Sequence, residues 1–346
     1  MYMNGKMPRM KERMRMMKID EIVNGCLEEG MRSFAIVGHV RPDGDCVGST
    51  CALYQYLTGN YPELQVDLYL EFFKDQYSSV IPVCAKDAGV IRDTDEGKCY
   101  DFLFMLDCAA CDRIGVLSDP LTRAKKTMCI DHHISNSGYA DINVIDADAC
   151  SASQVLFELL DENRIDTAVA DCLMTGIVHD TGVFRHQNTK PRSMEIATEL
   201  LKKGAALSRI VNDTYYMKSF TQLKIMGFAM EKAYTVLDGR VIVCVIGSDD
   251  LERYGATAAD LDGIVDQLRG TMDVECAVFI YQTAASEFKV SLRSNRCVNV
   301  SEIASSFGGG GHVRAAGYTA VGCSAEEAVE TIVSILADAM KEEKDK

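Results

Sequence analysis

Basic residues are scarce in this chain of 346 residues, in which 36 Lys and Arg face 51 Asp and Glu and the formal net charge is −15. Because a surface this acidic repels phosphate backbones, the composition excludes a protein that coats long DNA or RNA through electrostatic attraction. The composition still allows short or small anionic substrates, if positive charge is concentrated at their binding site.

Long apolar runs are also absent. The longest, such as Val241–Ile246 and Phe102–Leu106, are far shorter than the roughly 20 residues that span a bilayer. The apolar segment of a secretory signal is not visible either, so the 14 cysteines do not indicate the disulfide framework of a small secreted protein. We therefore expect a cytoplasmic protein with reduced thiols and no membrane partner.

The first 18 residues differ from the rest of the chain, because they hold seven of the 17 Met and six Lys or Arg against a single Glu. We expect this basic, Met-rich extension, residues 1–18, to be disordered. The alternative is a helix that lies on a membrane surface, since Met7, Met10, Met14 and Met17 share helical spacing.

The length and the 47% hydrophobic content predict two globular domains. From Ser33 onward, short apolar runs alternate with longer amphipathic ones, which is typical of βα units around a mainly parallel sheet. We predict a doubly wound α/β domain over residues 19–205, a helical linker over 206–234 and a smaller α/β domain over 235–342. Within the last of these, Ala258–Leu268 is predicted to be a helix.

Four segments place ionisable side chains at the end of a predicted strand or helix, where open α/β sheets bind ligands. They contribute His39, Asp43 and Asp45, then Asp107, then Asp131, His132 and His133, and finally Asp180. Each alone has another explanation, such as a helix cap for an Asp or a surface position for a His. Together they offer nitrogen and oxygen ligands for two divalent cations, and the oxygen majority favours Mn²⁺ or Mg²⁺. Gly44 is expected to form a tight turn that aims its neighbouring carboxylates.

A glycine-rich segment in the second domain, Gly308–Gly311, is followed by His312 and then by Arg314. We expect a flexible loop whose backbone N–H groups bind an anion. Between Ser286 and Tyr318 the chain has four Lys or Arg and only two Glu, so positive charge is concentrated here. A hinge is the alternative interpretation of the glycines, but it does not account for the adjacent His and Arg.

These residues resemble the motifs of the DHH phosphoesterases. The segments that carry the resemblance are His39–Ser49, Asp107, Asp131–His133 and His179–Gly182, together with Gly308–His312, which is similar to the glycine-rich motif of the DHH-associated C-terminal domain. The resemblance covers residues 19–340, and the two-domain layout is similar to that of the NrnA-like nanoRNases within the family.

The resemblance implies a centre with two Mn²⁺ ions, or alternatively Mg²⁺, in which one carboxylate bridges both ions. The ligands that it implies are His39, Asp43 and Asp107 for one ion, and Asp45, Asp107, His132 and Asp180 for the other. Water activated by the metal would attack phosphorus, while His133 would position or stabilise the phosphoryl group and Asp131 would orient a histidine. The implied substrate-binding residues of the second domain are Arg293, Gly309, Gly310, Gly311 and His312.

The implied activity is hydrolysis of short oligoribonucleotides to mononucleotides and of 3′-phosphoadenosine 5′-phosphate (pAp) to AMP. A phosphodiesterase acting on cyclic or linear dinucleotides is the alternative, because it would use the same metal chemistry with a different cleft. A nucleotide-binding regulator without catalytic activity is a further alternative, which the complete set of matched ligands disfavours. Relatives in the family often form dimers, so a homodimer is also implied, whereas long duplex nucleic acid is not an expected partner.

Overall fold

The computed structural model describes residues 18–71, 75–79, 81, 90, 91, 98–118 and 123–342. Of the predicted disordered extension, residues 1–17 lie outside this described part. The chain divides into two compact units, with the boundary between Met217 and Lys218. Each unit contains one six-stranded sheet.

The first unit is built on a sheet in which all neighbouring strands are parallel. Its strands are β1 (Ser33–Val37), β2 (Gln65–Tyr69), β3 (Val90–Ile91), β4 (Tyr100–Leu106), β5 (Ala124–Asp131) and β6 (Ile142–Ile145). Their spatial order is β3-β2-β1-β4-β5-β6, so the direction of winding reverses between β1 and β4. The predicted doubly wound α/β fold is confirmed.

Helices accompany these strands. They are α1 (Ile19–Glu28), α2 (Gly44–Asn60), α3 (Ala152–Leu159), α4 (Thr167–Asp180), α5 (Pro191–Lys202) and α6 (Leu207–Ile210), with a π-helix over Val211–Tyr216 and 3₁₀-helices over Asp75–Ser79, Cys111–Ser118 and Glu162–Arg164. Within the described residues, no helix is long and apolar enough to cross a membrane. The described cysteines form no disulfide with one another.

The central strands are buried on both faces, which explains their continuous apolar sequences. On β1, Phe34 and Ile36 pack in one core cluster, while Ala35 and Val37 pack in the cluster on the other face. Successive residues of a strand point to opposite faces, so both layers require apolar side chains here. The register pairs Phe34 with Phe102 on β4 and fixes the ends of both strands at one edge of the sheet.

Two glycines allow α2 and α4 to pack with their backbones in close contact. A Cβ atom on Gly48 would lie 2.6 Å from the carbonyl oxygen of Cys172, and one on Gly176 would lie 2.3 Å from Oδ1 of Asp45. Larger residues at these two positions would therefore push the helices apart. The close crossing brings Asp45, at the beginning of α2, near Asp180, the last residue of α4.

The second unit begins with helix α7 (Phe220–Lys232) and contains a smaller mixed sheet. Its strands are β7 (Tyr234–Val236), β8 (Val241–Ile246), β9 (Cys276–Ala284), β10 (Glu287–Ser294), β11 (Gly310–His312) and β12 (Ala315–Val321). The spatial order is β11-β12-β10-β9-β8-β7, in which β8 and β9 are parallel and the other neighbours are antiparallel. The remaining α-helices are α8 (Ser248–Tyr254), α9 (Ile264–Arg269), α10 (Val300–Ser306) and α11 (Ala325–Glu342).

Helices cover both faces of this second sheet. Val278 and Ile280 of β9 share a core cluster with residues of α10 and α11, whereas Ala277 and Phe279 share one with residues of α7 and α9. The prediction of a smaller α/β domain is therefore confirmed. Helices again line both sides because each face of the strand presents apolar side chains.

Two helical segments differ in detail from the sequence-based expectation. The predicted helix Ala258–Leu268 is interrupted: a 3₁₀-helix covers Ala258–Leu261, and α9 starts at Ile264 after Gly263, whose φ of +85° breaks the helix. Residues 206–234, the predicted linker, divide between the units. Helix α6 contributes Ile210 to the core of the first unit, and α7 contributes Ile225 to the core of the second.

Candidate metal centre

Polar side chains gather at the carboxyl edge of the first sheet, where the strand order reverses. His39 follows β1, Asp107 follows β4, and His132 follows β5, and these three strands are neighbours in the sheet. Because parallel strands end at the same edge, the three side chains converge there. The close crossing of α2 and α4 adds Asp45 and Asp180.

His39 is oriented by a contact with the backbone. Its Nδ1 lies 2.8 Å from the carbonyl oxygen of Val40, which can only accept a hydrogen bond, so in the neutral ring Nδ1 carries the proton and Nε2 has the lone pair. Nε2 lies 3.5 Å from Oδ2 of Asp107 and 3.8 Å from Oδ1 of Asp43. The ring thus presents a metal-binding nitrogen to two carboxylates.

Asp43 and Asp45 are both held by backbone N–H groups at helix beginnings. Asp43 caps α2, because its Oδ1 accepts hydrogen bonds from the amides of Asp45 and Cys46. Asp45 is completely buried, and its two oxygens accept hydrogen bonds of 2.6 Å and 3.0 Å from the amides of Ala152 and Ser153 at the start of α3. Both carboxylates are therefore fixed before any ligand binds.

Asp107 lies between His39 and His132. Its side chain is 3% exposed, its φ of +58° is unusual for a residue other than glycine, and its Oδ1 accepts no hydrogen bond from any residue that the structure describes. That oxygen lies 3.5 Å from Nε2 of His132, while Oδ2 faces His39. Nε2 of His132 also lies 3.1 Å from Oδ2 of Asp180.

Three groups of potential ligand atoms are close enough to hold a cation, and they share members. They are His39, Cys46 and Asp107; Asp107, His132 and His133; and Asp45, His132 and Asp180. These groups contain five of the six residues that the resemblance assigned to metal binding, and the sixth, Asp43, lies 3.8 Å from His39. They also contain His133 and Cys46, and the sequence did not single out Cys46 as a ligand.

Negative charge accumulates in the centre. Burial raises the pKa of Asp180 to about 6, and the nearby charges of Asp43 and Asp107 act in the same direction. A hydrogen bond with His132 opposes this shift. The pKa of Asp45 lies well above its usual range because the group is buried and faces other carboxylates. Carboxylates this crowded require positive charge for all of them to ionise.

His132 supplies part of that charge when no cation does. Burial disfavours its charged form, but the carboxylates of Asp107 and Asp180 outweigh burial and raise its pKa to about 12. Divalent cations at the same place would remove the need for this proton. Oδ1 of Asp107, which has no hydrogen-bond partner among the residues that the structure describes, fits such cations, and so does the set of carboxylate and imidazole donors.

Asp131 belongs to none of the three groups of potential ligand atoms, but it contacts His133, which belongs to one of them. His133 donates from Nδ1 to Oδ1 of Asp131 at 2.8 Å, and Asn136 donates to the other carboxylate oxygen at 2.7 Å. Burial acts to raise the pKa of Asp131, but the contacts with His133 and Asn136 outweigh it and keep the pKa below its usual value. An ionised Asp131 thus holds the ring of His133. Asn136 was not predicted, because a single Asn in a loop carries no distinctive pattern.

The expected tight turn at Gly44 is wrong. Gly44 is the first residue of α2, and its missing side chain makes room for His179 of α4, since a Cβ atom there would lie 2.0 Å from Cγ of that ring. Nε2 of His179 lies 2.9 Å from Oγ1 of Thr214 in the π-helix. His179 therefore supports the beginning of α2 through packing.

In the second unit, Arg293 of β10 forms an ion pair that it shares with another arginine. Its Nε lies 3.1 Å from Oδ1 of Asp266, and Nη2 of Arg269 lies 3.6 Å from the same oxygen. Two guanidinium groups thus face one carboxylate, which leaves a local excess of positive charge. Arg269 was not predicted from the sequence, because it ends an ordinary amphipathic helix.

The glycine segment is more ordered than the flexible loop expected from its sequence. Gly310–His312 forms β11, which pairs with β12. A Cβ atom on Gly309 would lie 2.2 Å from the carbonyl oxygen of Gly317, and Gly311 has a φ of +146°, so both positions require glycine for backbone packing. Gly310 has open space around its α carbon. His312 is exposed at the end of this strand.

Comparisons with known proteins agree with this architecture. The family model described as DHH family, N-terminal domain, matches residues 33–177, and the DHHA1 domain model matches residues 238–342. The chain is 28% identical to the bifunctional oligoribonuclease and PAP phosphatase NrnA of Bacillus subtilis over 284 residues, which cover 81% of this chain and 86% of that protein. It is also 28% identical to the protein of the same name from Thermus thermophilus over 343 residues, covering 98% of this chain and 97% of the relative.

A solved structure shares the whole architecture. An exopolyphosphatase-related protein from Bacteroides fragilis superposes with a TM-score of 0.81 at 25% sequence identity, covering 94% of this chain and 96% of that one. The similarity therefore extends over both units.

Proposed function

The chain belongs to the DHH family of phosphoester hydrolases, and we propose that it is a manganese-dependent enzyme that converts short oligoribonucleotides to mononucleotides and pAp to AMP. The observation that carries the proposal is the buried Asp107 carboxylate. It lies between His39 and His132, and its Oδ1 has no hydrogen-bond partner in the described part of the chain. The names of the two NrnA relatives, which match most of this chain, support the substrate assignment.

Two cations would share the centre. His39, Asp43 and Asp107 would hold one, and Asp45, Asp107, His132 and Asp180 would hold the other. A pair of divalent cations in such a centre supplies Lewis acidity and activates water for attack on phosphorus. The predominance of carboxylate oxygens favours Mn²⁺, with Mg²⁺ as the alternative.

The residues of the centre are prepared for this task by their hydrogen bonds. The contact with the Val40 carbonyl keeps the lone pair of His39 on Nε2, and the amides at the start of α3 keep Asp45 in place. These contacts hold His39 and Asp45 in place before a cation binds, which lowers the cost of binding.

His133 would contact the phosphoryl group. Burial disfavours a charge on its ring, but Asp131 and Asp107 outweigh burial and raise the pKa of His133 above its ordinary value. Because Nδ1 donates to Asp131, Nε2 is the nitrogen left to donate a hydrogen bond to a phosphoryl oxygen. Asp131 would then act through His133, by holding the ring and stabilising its charge.

The second unit would bind the substrate through Arg293 and the glycine segment. Arg269 adds a second guanidinium beside Arg293, and Gly310, Gly311 and His312 lie exposed on β11. Phosphate groups are the natural ligands of such guanidinium pairs and exposed backbone amides. The overall charge of −15 favours a short substrate over a long polymer.

The direct test is turnover by the full-length protein with Mn²⁺. We expect hydrolysis of pAp, pApA and RNAs of two to five nucleotides, with a steep fall for longer RNAs. Faster turnover of cyclic di-AMP than of pAp and short RNA would favour the dinucleotide phosphodiesterase. Absence of turnover on every substrate would contradict the enzyme and leave the nucleotide-binding regulator.

A further inference from the structure

Cys46 belongs to the first of the three ligand groups. It is the third residue of α2 and is completely buried. Its Sγ accepts a hydrogen bond of 3.2 Å from the backbone amide of His39. Sγ, a ring nitrogen of His39 and a carboxylate oxygen of Asp107 all lie within 4.8 Å of one another. A thiol thus faces the two residues that our proposed function assigns to one cation.

The surrounding backbone leaves room for this sulfur. A Cβ atom on Gly38, at the end of β1, would lie 2.3 Å from Sγ of Cys46. Any larger residue at position 38 would therefore displace the thiol from the group. The glycine and the amide hydrogen bond from His39 fix the sulfur beside the end of β1.

Asp107 gives independent support for a ligand at this place. Its side chain is nearly fully buried, and its Oδ1, which faces His132, has no hydrogen-bond partner among the described residues. Its other oxygen, Oδ2, lies 3.5 Å from Nε2 of His39. Burying a carboxylate is unfavourable unless positive charge is close to it. A cation between Asp107 and His39 would supply that charge without an extra proton on the histidine ring.

We propose that the sulfur of Cys46 is a ligand of the cation held by His39 and Asp107, and that it directs this position toward Fe²⁺, Co²⁺ or Zn²⁺. The proposal rests on the proposed function only in requiring that a cation binds there. Thiolate and imidazole ligands favour these softer cations, whereas carboxylates favour Mn²⁺ and Mg²⁺. The group formed by Asp45, His132 and Asp180 contains no sulfur, so the two cation positions differ in preference.

Binding exchanges one bond for another at the sulfur. The S–H bond breaks, the proton leaves to solvent, and a sulfur–metal bond forms without any change in the oxidation state of the metal. Mn²⁺ gains little from such a bond, so it would bind through nitrogen and oxygen ligands whether or not the thiol is present.

The test is a titration of the metal-stripped, full-length protein with CoCl₂, followed by absorption spectroscopy. We expect a thiolate-to-cobalt charge-transfer band in the near ultraviolet as the first equivalent binds. Cys46→Ser should lose the band and weaken Co²⁺ binding by at least roughly tenfold, while Mn²⁺ affinity changes much less. A band that persists unchanged in Cys46→Ser would overturn the proposal.

Two controls separate Cys46 from the other thiols. Cys111 is exposed and could bind cobalt adventitiously, whereas Cys51 is buried on the same helix as Cys46 and belongs to none of the ligand groups. Cys111→Ser and Cys51→Ser should both retain the band. Loss of the band in Cys111→Ser would show that the signal comes from that exposed thiol and would overturn the assignment to Cys46.

A second measurement covers the case in which Cys46→Ser does not fold. X-ray absorption of the Cys111→Ser variant with one equivalent of Co²⁺ should show a sulfur scatterer in the first coordination shell. A shell containing only nitrogen and oxygen would contradict the proposal. Neither measurement depends on turnover, so a protein that shows the sulfur ligand but hydrolyses no nucleotide would contradict only the proposed function.

Discussion

The ring of His179 occupies the space that a side chain on Gly44 would need, since a Cβ atom there would come within 2.0 Å of its Cγ. This contact joins the end of α4 to the beginning of α2. His179 directly precedes Asp180 in the chain, and Gly44 lies between Asp43 and Asp45. The spacing of three metal-ligand candidates thus depends on a glycine that lies outside the metal-ligand groups.

Gly44→Ala should lower both stability and activity. Overpacking of a filled interior costs roughly 1–3 kcal/mol, and the displaced helix would carry Asp43 and Asp45 with it. Thermal unfolding and kcat with pAp would measure the two effects. His179→Ala in the same chain should relieve the clash, so the double variant should be more stable than the Gly44→Ala single variant.

The control for this prediction is Gly59→Ala near the end of the same helix. Nothing lies within 4 Å of a Cβ atom at Gly59. Alanine is better than glycine in a helix by about 1 kcal/mol, so this variant should be as stable as the parent or more so. Equal effects of the substitutions at Gly44 and Gly59 would contradict the role of His179.

Asp107→Asn should abolish activity without unfolding the protein. The substitution removes the charge that would bind two cations, and Asn tolerates the left-handed φ of +58° better than Ala does. We expect kcat to fall by at least about 100-fold. The metal-stripped variant should melt at or above the temperature of the metal-stripped parent, because a buried negative charge is gone. Asp112→Asn, at an exposed position nearby, is the control that should keep activity.

The metal-stripped protein should lose stability as the pH rises from about 5 to 8. A group whose pKa is higher in the folded state contributes stability below its unfolded pKa and loses it as the pH rises toward the folded value. Asp180 has a folded pKa of about 6, so its stabilising contribution is lost as the pH rises toward 6. His132 has a folded pKa of about 12, so its contribution decreases progressively once the pH exceeds the ordinary histidine pKa of roughly 6.5.

Cations should reverse this trend, because they replace the protons. Melting temperatures measured in EDTA and in Mn²⁺ across the same pH range would show it. We expect Mn²⁺ to raise the melting temperature more at pH 8 than at pH 5, where protons compete for the same ligands. A metal-stripped protein that becomes more stable with rising pH would contradict the charge balance described for the centre.

The membership of the centre was accessible from the sequence because the topology fixes it. His39, Asp107 and His132 each follow a strand, and the strands of a parallel sheet end at one edge. The pairing of side chains within the centre was not accessible. Which histidine Asp131 contacts depends on rotamers in a packed interior, and the contact of Gly44 with His179 joins residues far apart in the chain.

In the second unit, too, some features were visible in the sequence and others were not. The sequence shows a row of glycines next to His312 and near Arg314. It does not show that part of this row forms strand β11, because that conformation depends on backbone packing against β12. Arg269 carries no pattern at all, because its relation to Arg293 arises only when α9 packs beside β10.

Arg269→Gln and Arg293→Gln should each weaken substrate binding. Loss of a charged hydrogen bond to phosphate costs about 1.5–3 kcal/mol, so KM for pAp should rise roughly 10-fold or more at low ionic strength. Asp266→Asn removes the carboxylate that competes with phosphate and should lower KM. Arg253→Gln, whose guanidinium lies over the rings of Phe228 and Tyr254, is the control with unchanged KM. An unchanged KM in both Arg269→Gln and Arg293→Gln would exclude the pair from the substrate site.

Substitutions at two neighbouring glycines can distinguish an effect on substrate binding from an effect on folding. Gly310→Ala meets open space, whereas Gly309→Ala would place a Cβ atom 2.2 Å from the carbonyl oxygen of Gly317. Gly309→Ala should therefore lower the melting temperature, and Gly310→Ala should leave it unchanged. If β11 contacts the phosphate through its backbone, Gly310→Ala should still raise KM for pAp, because the added methyl group hinders close approach. A Gly310→Ala variant with parental KM and parental stability would place the substrate away from this strand.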